Sequence, residues 1–581
     1  MKYDYSWKIG GQAGEGIDTT GDIFSESLTL FGLHVFTHRE FPSRIRGGYT
    51  SYEVRFSDEP VYCKNDKIDF VIAFDQETID SSIDEMKSGS IIIYNSSAFS
   101  PDHNESKYVG IKLFGIALSD IAQQVGSNIM KNVVSLGVTT AMLGLNEDMI
   151  YNGIKHKFGK KGEEVLKKNI DAVEAGYNYV IKNIKSDNYE HLYSTKNGSH
   201  LFVSGSETVA LGAIAGGCRF YAGYPITPAT TIMEWLVPRM TKFGGTVVQA
   251  EDEISAINMV IGAEFAGARA MTATSGPGLD LMTESISLAS MIETPAVIVD
   301  VQRAGPSTGL PTKHEQSDLW QAIFAGHGDA HRIVLTASTP ENAFVRIQEA
   351  FNMSDIYQTP VILLLDQDLC VSKRSVSAED FKILPIVRGN MPSDNEILMH
   401  NQGLLYKRYM YTDNGISPRT IPSQKNGLYL ATGDEHDEEG HIIEDHVKRV
   451  KGMNKRSIKY DIAKKDMEKG NMVYGNTDAD VALIGFGSTY GPVMNLMKKF
   501  KAVDKKVKYI DLSHIWPFPQ DFIKSEIENT THNIVIENNE YGQLYKIMRM
   551  FVKGNFHTIR TYDGAPFKPE TLYNRIREVI S

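Results

Sequence analysis

The chain is 581 residues long, 42% apolar and 23% charged, with 60 Lys and Arg against 72 Asp and Glu for a net charge of -12. A chain of this length holds about three or four domains, and its acidic balance argues against a nucleic-acid-binding protein. The longest apolar runs, such as residues 361–365, have strand length and fall far short of a membrane span. The opening Met1-Lys-Tyr-Asp-Tyr-Ser-Trp7 carries no signal-peptide pattern, so a cytoplasmic protein without membrane association is expected.

From the N-terminus, Trp7-Lys-Ile reads as a strand feeding a glycine-rich turn (Gly10, Gly11, Gly14, Gly16) and a helix over about residues 19–30. Such a turn either just tightens the chain or offers backbone N–H groups to a phosphate. Arg44 and Arg46, beside Gly47-Gly48, sit in a loop able to hold an anion, ahead of a strand. Strands over 54–56, 70–74 and 90–94 and helices over 131–143 and 162–184 continue an alternation that predicts a doubly wound α/β sheet. The stretch 186–200, rich in Asn, Ser and Lys, is the expected linker, closing a first domain over 1–190.

A second domain is expected over 201–385. A small-residue helix pattern at 209–217 leads to a strand at Phe220-Tyr221 and then Tyr221-Ala-Gly-Tyr-Pro-Ile-Thr-Pro-Ala-Thr230. Gly223 lets the chain leave the strand tightly, and Pro225 and Pro228 fix φ on either side of Ile226-Thr227. The expected result is a stiff loop presenting the Thr227 hydroxyl at a strand end. The alternative is that Thr227 caps the next helix. Residues 246–250 read as a strand ending in Glu251-Asp-Glu253. The helix after it carries Ala256, Gly262, Ala263, Ala266 and Gly267 on or near one face, where another helix could approach closely. Acids there suit the positive end of a helix. Glu253 also stands nine residues before Gly262.

Residues 270–274 form the next expected strand, followed by a tight Ser275-Gly-Pro-Gly278 loop and a helix from about Leu279. The strand over 295–301 runs into Gln302-Arg303-Ala-Gly-Pro-Ser-Thr-Gly-Leu-Pro-Thr312-Lys-His-Glu-Gln. Arg is a planar, bidentate partner for a carboxylate, and Thr227, Thr308 and Thr312 could add hydroxyl donors; the bland alternative is a structural ion pair of Arg303. His327 and His331, one turn apart, read as polar surface rather than a metal site. Residues 386–475 look like a solvated connector, with an acidic loop at 432–440 and a basic run at 448–456. The last domain, 476–581, has strands over 480–484, 506–511 and 533–537. Its Gly485-Phe-Gly-Ser segment lacks a full dinucleotide fingerprint.

Tyr224-Pro-Ile-Thr-Pro228, followed by strand, Glu253 and helix, resembles the pyrimidine-binding domain of thiamine diphosphate enzymes. Together with the Arg303 loop and the Gly-Gly-Gln-Ala-Gly-Glu-Gly16 segment, it is similar more narrowly to the 2-oxoacid:ferredoxin oxidoreductases. The match is to an alpha subunit of the 2-oxoglutarate type with a gamma domain fused at its N-terminus. The resemblance implies an α/β, multidomain fold of open parallel sheets flanked by helices: a gamma domain, a pyrimidine-binding domain, a connector and a transketolase C-terminal-like domain. It implies Glu253 at N1′ of the aminopyrimidine, with Glu251 as the fallback if the register slips by two. It puts Tyr224, Pro225 and Ile226 at the cofactor and Thr227 at the reacting carbon. It also puts Arg303 on the substrate carboxylate, with Thr312 assisting. The implied reaction is oxidative decarboxylation of a 2-oxoacid, 2-oxoglutarate foremost, with coenzyme A to acyl-CoA, CO2 and reduced ferredoxin. Pyruvate and branched-chain 2-oxoacids are the alternatives, and the sequence does not choose the cation for a distal carboxylate, with Lys313 and a residue of the partner chain both open.

Half of such an enzyme is missing from this sequence. Cys63, Cys218 and Cys370 are scattered with no CxxC, whereas a cubane cluster needs about four ligands. No Gly-Asp-Gly followed by Asn-Asn is present to hold Mg²⁺ and diphosphate; Asn538-Asn539 stands without the first part. The resemblance implies a beta subunit that carries Mg²⁺, the diphosphate site and a 4Fe-4S cluster, in an (alpha-beta)2 heterotetramer that reduces ferredoxin. The rivals are a transketolase- or decarboxylase-like subunit without electron transfer and a non-catalytic scaffold. Tyr224-Pro-Ile-Thr-Pro228 and the fused N-terminal domain count against the first. The joint presence of Thr227, Glu253, Arg303 and Thr312 counts against the second.

Overall fold

The computed structural model describes residues 4–43, 47–185, 200–401 and 405–581. Arg44, Arg46 and all of the expected linker except His200 lie outside the described residues. The chain folds into two compact units. The first takes residues up to Val203 together with Val371–Asp380 and Lys568–Thr571, and the second takes the rest.

The first unit is built on an eight-stranded sheet. Lys112–Ile116, Met86–Asn95, Ile68–Ala73 and Asp4–Gln12 run parallel, with Trp7 opposite Phe70. Beyond Asp4–Gln12 the sheet turns antiparallel, through Tyr49–Ser57 and His34–Glu40. The doubly wound expectation thus describes one half of the sheet. His34–Glu40 escaped notice because His-Val-Phe-Thr-His-Arg-Glu carries too much charge to read as a strand. Lys373–Ser377, from far along the chain, adds a strand beside His34–Glu40. Ile68–Ala73 is buried throughout, as a strand covered on both faces must be. Trp7, Phe24 and Phe56 fill the core, with Phe24 edge-on to Phe56 at 5.8 Å. Helices Lys131–Met142 and Glu163–Asn183 cross where each has a glycine. A Cβ on Gly137 would lie 1.9 Å from the Val173 carbonyl oxygen, and one on Gly176 would lie 2.1 Å from that of Val134.

The second unit contains two sheets. In the seven-stranded one, Ile333–Thr336, Pro360–Asp366, Ala296–Gln302, Ala270–Thr274, Phe220–Gly223 and Thr246–Gln249 are all parallel. His514–Trp516 closes one edge antiparallel. Ala296–Gln302 is central and wholly buried. The sheet order brings Gly223, Gln249, Thr274 and Gln302 to the same edge, the carboxyl ends where open α/β sheets hold ligands. The expected Ser275–Gly278 loop is instead the first turn of helix Gly276–Met291. Pro277 fits there because the first turn has no N–H partner to lose. The five-stranded sheet orders Met472–Gly475, Val507–Asp511, Val481–Gly485, His532–Glu537 and Phe556–Arg560, antiparallel only at its first pair. Among the described residues no helix is long and apolar enough to cross a membrane.

The expected solvated connector is corrected by its packing. The basic run lies in a 22-residue helix, His446–Met467. Its Lys455 and Lys459 are buried, with their ammonium groups 2.6 and 2.7 Å from the two Glu293 oxygens. Arg408 donates to the Glu293 carbonyl at 2.7 Å. Nearby, Asp355 gathers Arg269, Arg419 and Arg388 at 2.8, 3.1 and 3.3 Å. Burial opposes the Glu293 charge, yet Lys455, Lys459 and Arg408 hold its carboxyl well below the usual range. Its contribution to stability is therefore present above the ordinary carboxylate range and is lost as pH falls through the depressed value. Breaking a buried pair from one side costs about 3–5 kcal/mol. Glu293→Gln should accordingly lower the melting temperature sharply in a calorimetric scan, whereas Asp478→Asn, at an exposed pair with Lys506, should leave it unchanged.

Candidate functional site

The loop after Phe220–Gly223 carries Tyr224, Pro225, Ile226 and Thr227, with Tyr224 exposed and the other three half-buried. Thr227 does not cap the following helix: the N-cap of Thr230–Leu236 is Ala229, without a side-chain cap. Instead the Thr227 carbonyl accepts a hydrogen bond from Arg303 Nη1 at 2.7 Å. Arg303 leaves the neighbourhood of another strand end, after Ala296–Gln302, so this single bond joins two strand-end loops.

Glu253 is the first residue of helix Glu253–Phe265, whose N-cap Asp252 accepts from Ser255 N at 2.7 Å. Glu253 is buried while Glu251 is exposed. Its carboxyl lies over Gly278: a Cβ there would be 2.6 Å from Glu253 Oε1 and 2.0 Å from Thr274 Oγ1. Two residues earlier on the same turn, a Cβ on Gly276 would be 2.7 Å from Asp318 Oδ2. At about 3.6 residues per turn, positions two apart face nearly opposite sides of a helix, so Glu253 and Asp318 lie on either side of this turn. The outer face of Glu253–Phe265 is uncovered in this chain. Ile254 and Met259 are exposed on it, and a Cβ on Gly262 would meet nothing.

Arg303 is only 7% exposed and lines a cavity of about 440 Å³ with Gly276, Asp318, Gln543, Tyr541 and Tyr562. The loop after it folds back on itself: Ala304 N donates to the Lys313 carbonyl at 3.0 Å and Leu310 N to the Ala304 carbonyl at 2.9 Å. Half-buried Thr312 is thereby returned close to Arg303, and its carbonyl accepts from Gln367 Nε2 at 3.2 Å. Thr308 is exposed.

What the sequence reading missed is the fastening of this loop. Buried Gln316 donates through Nε2 to Asp366 and to the Phe486 carbonyl, each at 2.9 Å. Its own backbone is held by the Asn538 carbonyl at 2.7 Å and by Asn539 Nδ2 at 3.0 Å. His314 N donates to the Gly564 carbonyl at 3.0 Å. Asn538-Asn539, set directly after an apolar strand, was the available signal. In the first unit, the glycine-rich turn keeps its donor for itself. Gln12 N donates to Glu15 Oε2 at 2.8 Å, and Lys131 sits 2.6 Å from the other Glu15 oxygen.

The group that a pyrimidine ring asks of this chain, a buried carboxyl, is present in the second unit. Glu253 is a buried carboxyl at the start of a helix, backed by a glycine that leaves no room for a side chain. Cys63, Cys218 and Cys370 are each buried and free. Among the described residues no group of three His, Cys, Asp or Glu side chains is placed to hold a metal.

Comparison with known proteins agrees along the whole chain. Residues 211–455 match the family described as pyruvate flavodoxin/ferredoxin oxidoreductase, thiamine diP-bdg. Residues 6–179 match pyruvate ferredoxin/flavodoxin oxidoreductase, and 479–572 match pyruvate:ferredoxin oxidoreductase core domain II. The 2-oxoacid:ferredoxin oxidoreductase subunit alpha of Sulfolobus sp is 32% identical over 99% of this chain and 97% of its own length. The chain belongs to the 2-oxoacid:ferredoxin oxidoreductase family. The 2-oxoglutarate oxidoreductase subunit KorA of Mycobacterium tuberculosis is 28% identical over 99% of this chain and 91% of its own. The solved 2-oxoglutarate:ferredoxin oxidoreductase from Magnetococcus marinus, with 2-oxoglutarate, coenzyme A and succinyl-CoA bound, superposes with a TM-score of 0.92 at 37% identity, covering 100% of both chains.

Removing Gln316 leaves buried partners unsatisfied, at about 1–3 kcal/mol for each such group. Gln316→Ala should lower the melting temperature and raise amide hydrogen exchange over residues 304–318, read by mass spectrometry. Unchanged exchange there would show that the loop is held by other means.

Proposed function

We propose that this chain, a subunit of a thiamine-diphosphate-dependent 2-oxoacid:ferredoxin oxidoreductase, supplies the pyrimidine-binding half of the cofactor site and the clamp for the substrate carboxylate. The observation that carries the reading is the Arg303–Thr227 bond, which sets a guanidinium and a hydroxyl-bearing residue beside each other after two strands that flank Ala270–Thr274. Glu253 lies across one helical turn from that cavity.

Thiamine diphosphate supplies, when bound, a nucleophilic carbon and an electron sink for decarboxylation. Glu253 would meet N1′ of its aminopyrimidine with a hydrogen bond, the contact that activates the bound ring. Tyr224, Pro225 and Ile226 would shape the loop against the ring. Arg303 Nη1 already has its acceptor, so the rest of the guanidinium takes the 2-oxoacid carboxylate, the group that leaves as CO2. The Thr227 hydroxyl orients the 2-oxo group, and Thr312 assists at the carboxylate. Coenzyme A is the acyl acceptor.

The remaining machinery belongs to a partner. Three separate buried cysteines do not ligate a cubane cluster, and the uncovered face with Ile254, Met259 and Gly262 offers a surface for another chain to close the site. We assign the Mg²⁺-diphosphate site and a 4Fe-4S cluster to a beta subunit, in a cytoplasmic (alpha-beta)2 heterotetramer that passes electrons to ferredoxin. The favoured substrate is 2-oxoglutarate, ahead of pyruvate and branched 2-oxoacids; full-length similarity to an enzyme solved with 2-oxoglutarate supports that order.

Glu253→Gln should retain the fold and lose decarboxylation by about a hundredfold or more, measured as 2-oxoacid-dependent viologen reduction. If most of the rate survives, the cofactor assignment is wrong. Arg303→Gln should raise KM for the 2-oxoacid about 10–100-fold, the equivalent of a lost charge-assisted contact; an unchanged KM would remove Arg303 from the substrate site.

A further inference from the structure

Strand Ala296–Gln302 is apolar except for Asp300 and Gln302, and Asp300 is fully buried. No hydrogen-bond partner among the described residues reaches either Asp300 oxygen. Close enough for its charge to act on Asp300 stands Asp318, the residue before helix Leu319–Phe324. Asp318 lines the Arg303 cavity, and its Oδ2 is likewise without a partner. Two carboxylates only accept. Facing each other out of water, they repel unless a proton sits between them.

The surroundings strengthen that demand. Burial, and then the Asp318 charge, pushes Asp300 well above the carboxylate range. Burial, with Asp280 and Glu315, pushes Asp318 up to about 7. Asp280 comes from helix Gly276–Met291 and is engaged by Gln321 Nε2 at 2.5 Å. Glu315 comes from the substrate loop and accepts from Ser317 at 3.0 Å. Gln302 Oε1 takes the Asp318 backbone N–H at 3.0 Å, and Gly276 closes the remaining side. Arg303 is the cation that faces Asp318, and its Nε has no acceptor. The pair as a whole therefore favours holding a proton, and Asp318, on the cavity side, is the member that solvent reaches.

We propose that Asp318, backed by Asp300, is a proton-accepting positioning residue of the substrate site: the carboxylate that binds Arg303 is taken up together with one proton, which lands on Asp318. This rests on the reading of Arg303 as the carboxylate clamp. An incoming anion would otherwise sit beside Asp318 with Arg303 shared between two negative partners. Protonating Asp318 frees Arg303 and turns a repelling oxygen into a donor. One O–H bond forms on Asp318, the proton comes from solvent, and no bond in the ligand changes. Above pH 7 the affinity for the acid must then weaken by up to about tenfold per pH unit.

The test uses the complex purified with its partner chain and loaded with thiamine diphosphate, titrated calorimetrically with the non-reacting 2-hydroxyglutarate and lactate. Titrations at pH 8 in phosphate and in Tris count the protons exchanged. Close to one proton should be taken up by the wild-type enzyme. Asp318→Asn should take up almost none, bind with a pH-independent Kd and bind more tightly than wild type at pH 8.5. Asp300→Asn, whose amide would give Asp318 a permanent donor, should cut the uptake by more than half, and it serves if Asp318→Asn does not fold. Binding without proton uptake in the wild type, or uptake that persists in Asp318→Asn, overturns the proposal and leaves the Arg303 reading standing. If neither acid binds wild type, the Arg303 reading fails and takes this one with it.

Discussion

A guanidinium nitrogen 2.7 Å from a backbone carbonyl joins the loop bearing Thr227 to the loop bearing Thr312. Each loop leaves a different parallel strand, and neither contains enough apolar surface to order itself. The strands place the loops at one edge of the sheet, since parallel strands put all their carboxyl ends on the same side. Arg303 then converts proximity into geometry. With Nη1 spent on the Thr227 carbonyl, the direction of the rest of the guanidinium is set before any ligand arrives, and such preorganisation lowers the cost of binding an anion.

That arrangement would be loose if Gly305, Pro306 and the exposed residues after them were held only at the strand. The far end of the loop is instead gripped by the C-terminal lobe of the second unit. Gln316 meets Asp366, Phe486, Asn538 and Asn539 in one buried cluster. Glu537 beneath it is fully buried and accepts from Asn539 and from the backbone of Leu544 and Tyr545. The C-terminal lobe therefore reaches the Arg303 loop directly, and loop position depends on the folding of both sheets.

The buried charges of the second unit fall into two kinds. Glu293 and Asp355 are each surrounded by cations on hydrogen-bonding terms and tie the connector to the core. Such clusters specify one packing of a polar segment on an apolar body. Asp300 and Asp318 are of the other kind. Asp300 is fully buried and Asp318 half-buried beside a cavity, and among the described residues no donor reaches either Asp300 oxygen or Asp318 Oδ2, a cost the fold would avoid if the pair served packing alone.

Local pattern determined much of this protein. The continuous apolar strands, their alternation with helices, the stiff Tyr224-Pro-Ile-Thr-Pro228 turn and the Arg303 loop are all legible because each depends on neighbours a few residues away. Family membership was legible for the same reason: Glu253, Thr227 and Arg303 lie in short contiguous motifs. Only the tertiary structure could decide the rest. Lys373–Ser377 joins a sheet begun more than three hundred residues earlier. Lys455 and Lys459 go inside because Glu293 waits there, although their own segment reads as solvated. Asp300 is one polar residue in an apolar strand, and the fold alone brings Asp318 against it. Long-range pairing of charges and hydrogen bonds leaves no periodic trace in a single sequence, since its partners are set by the fold and not by spacing.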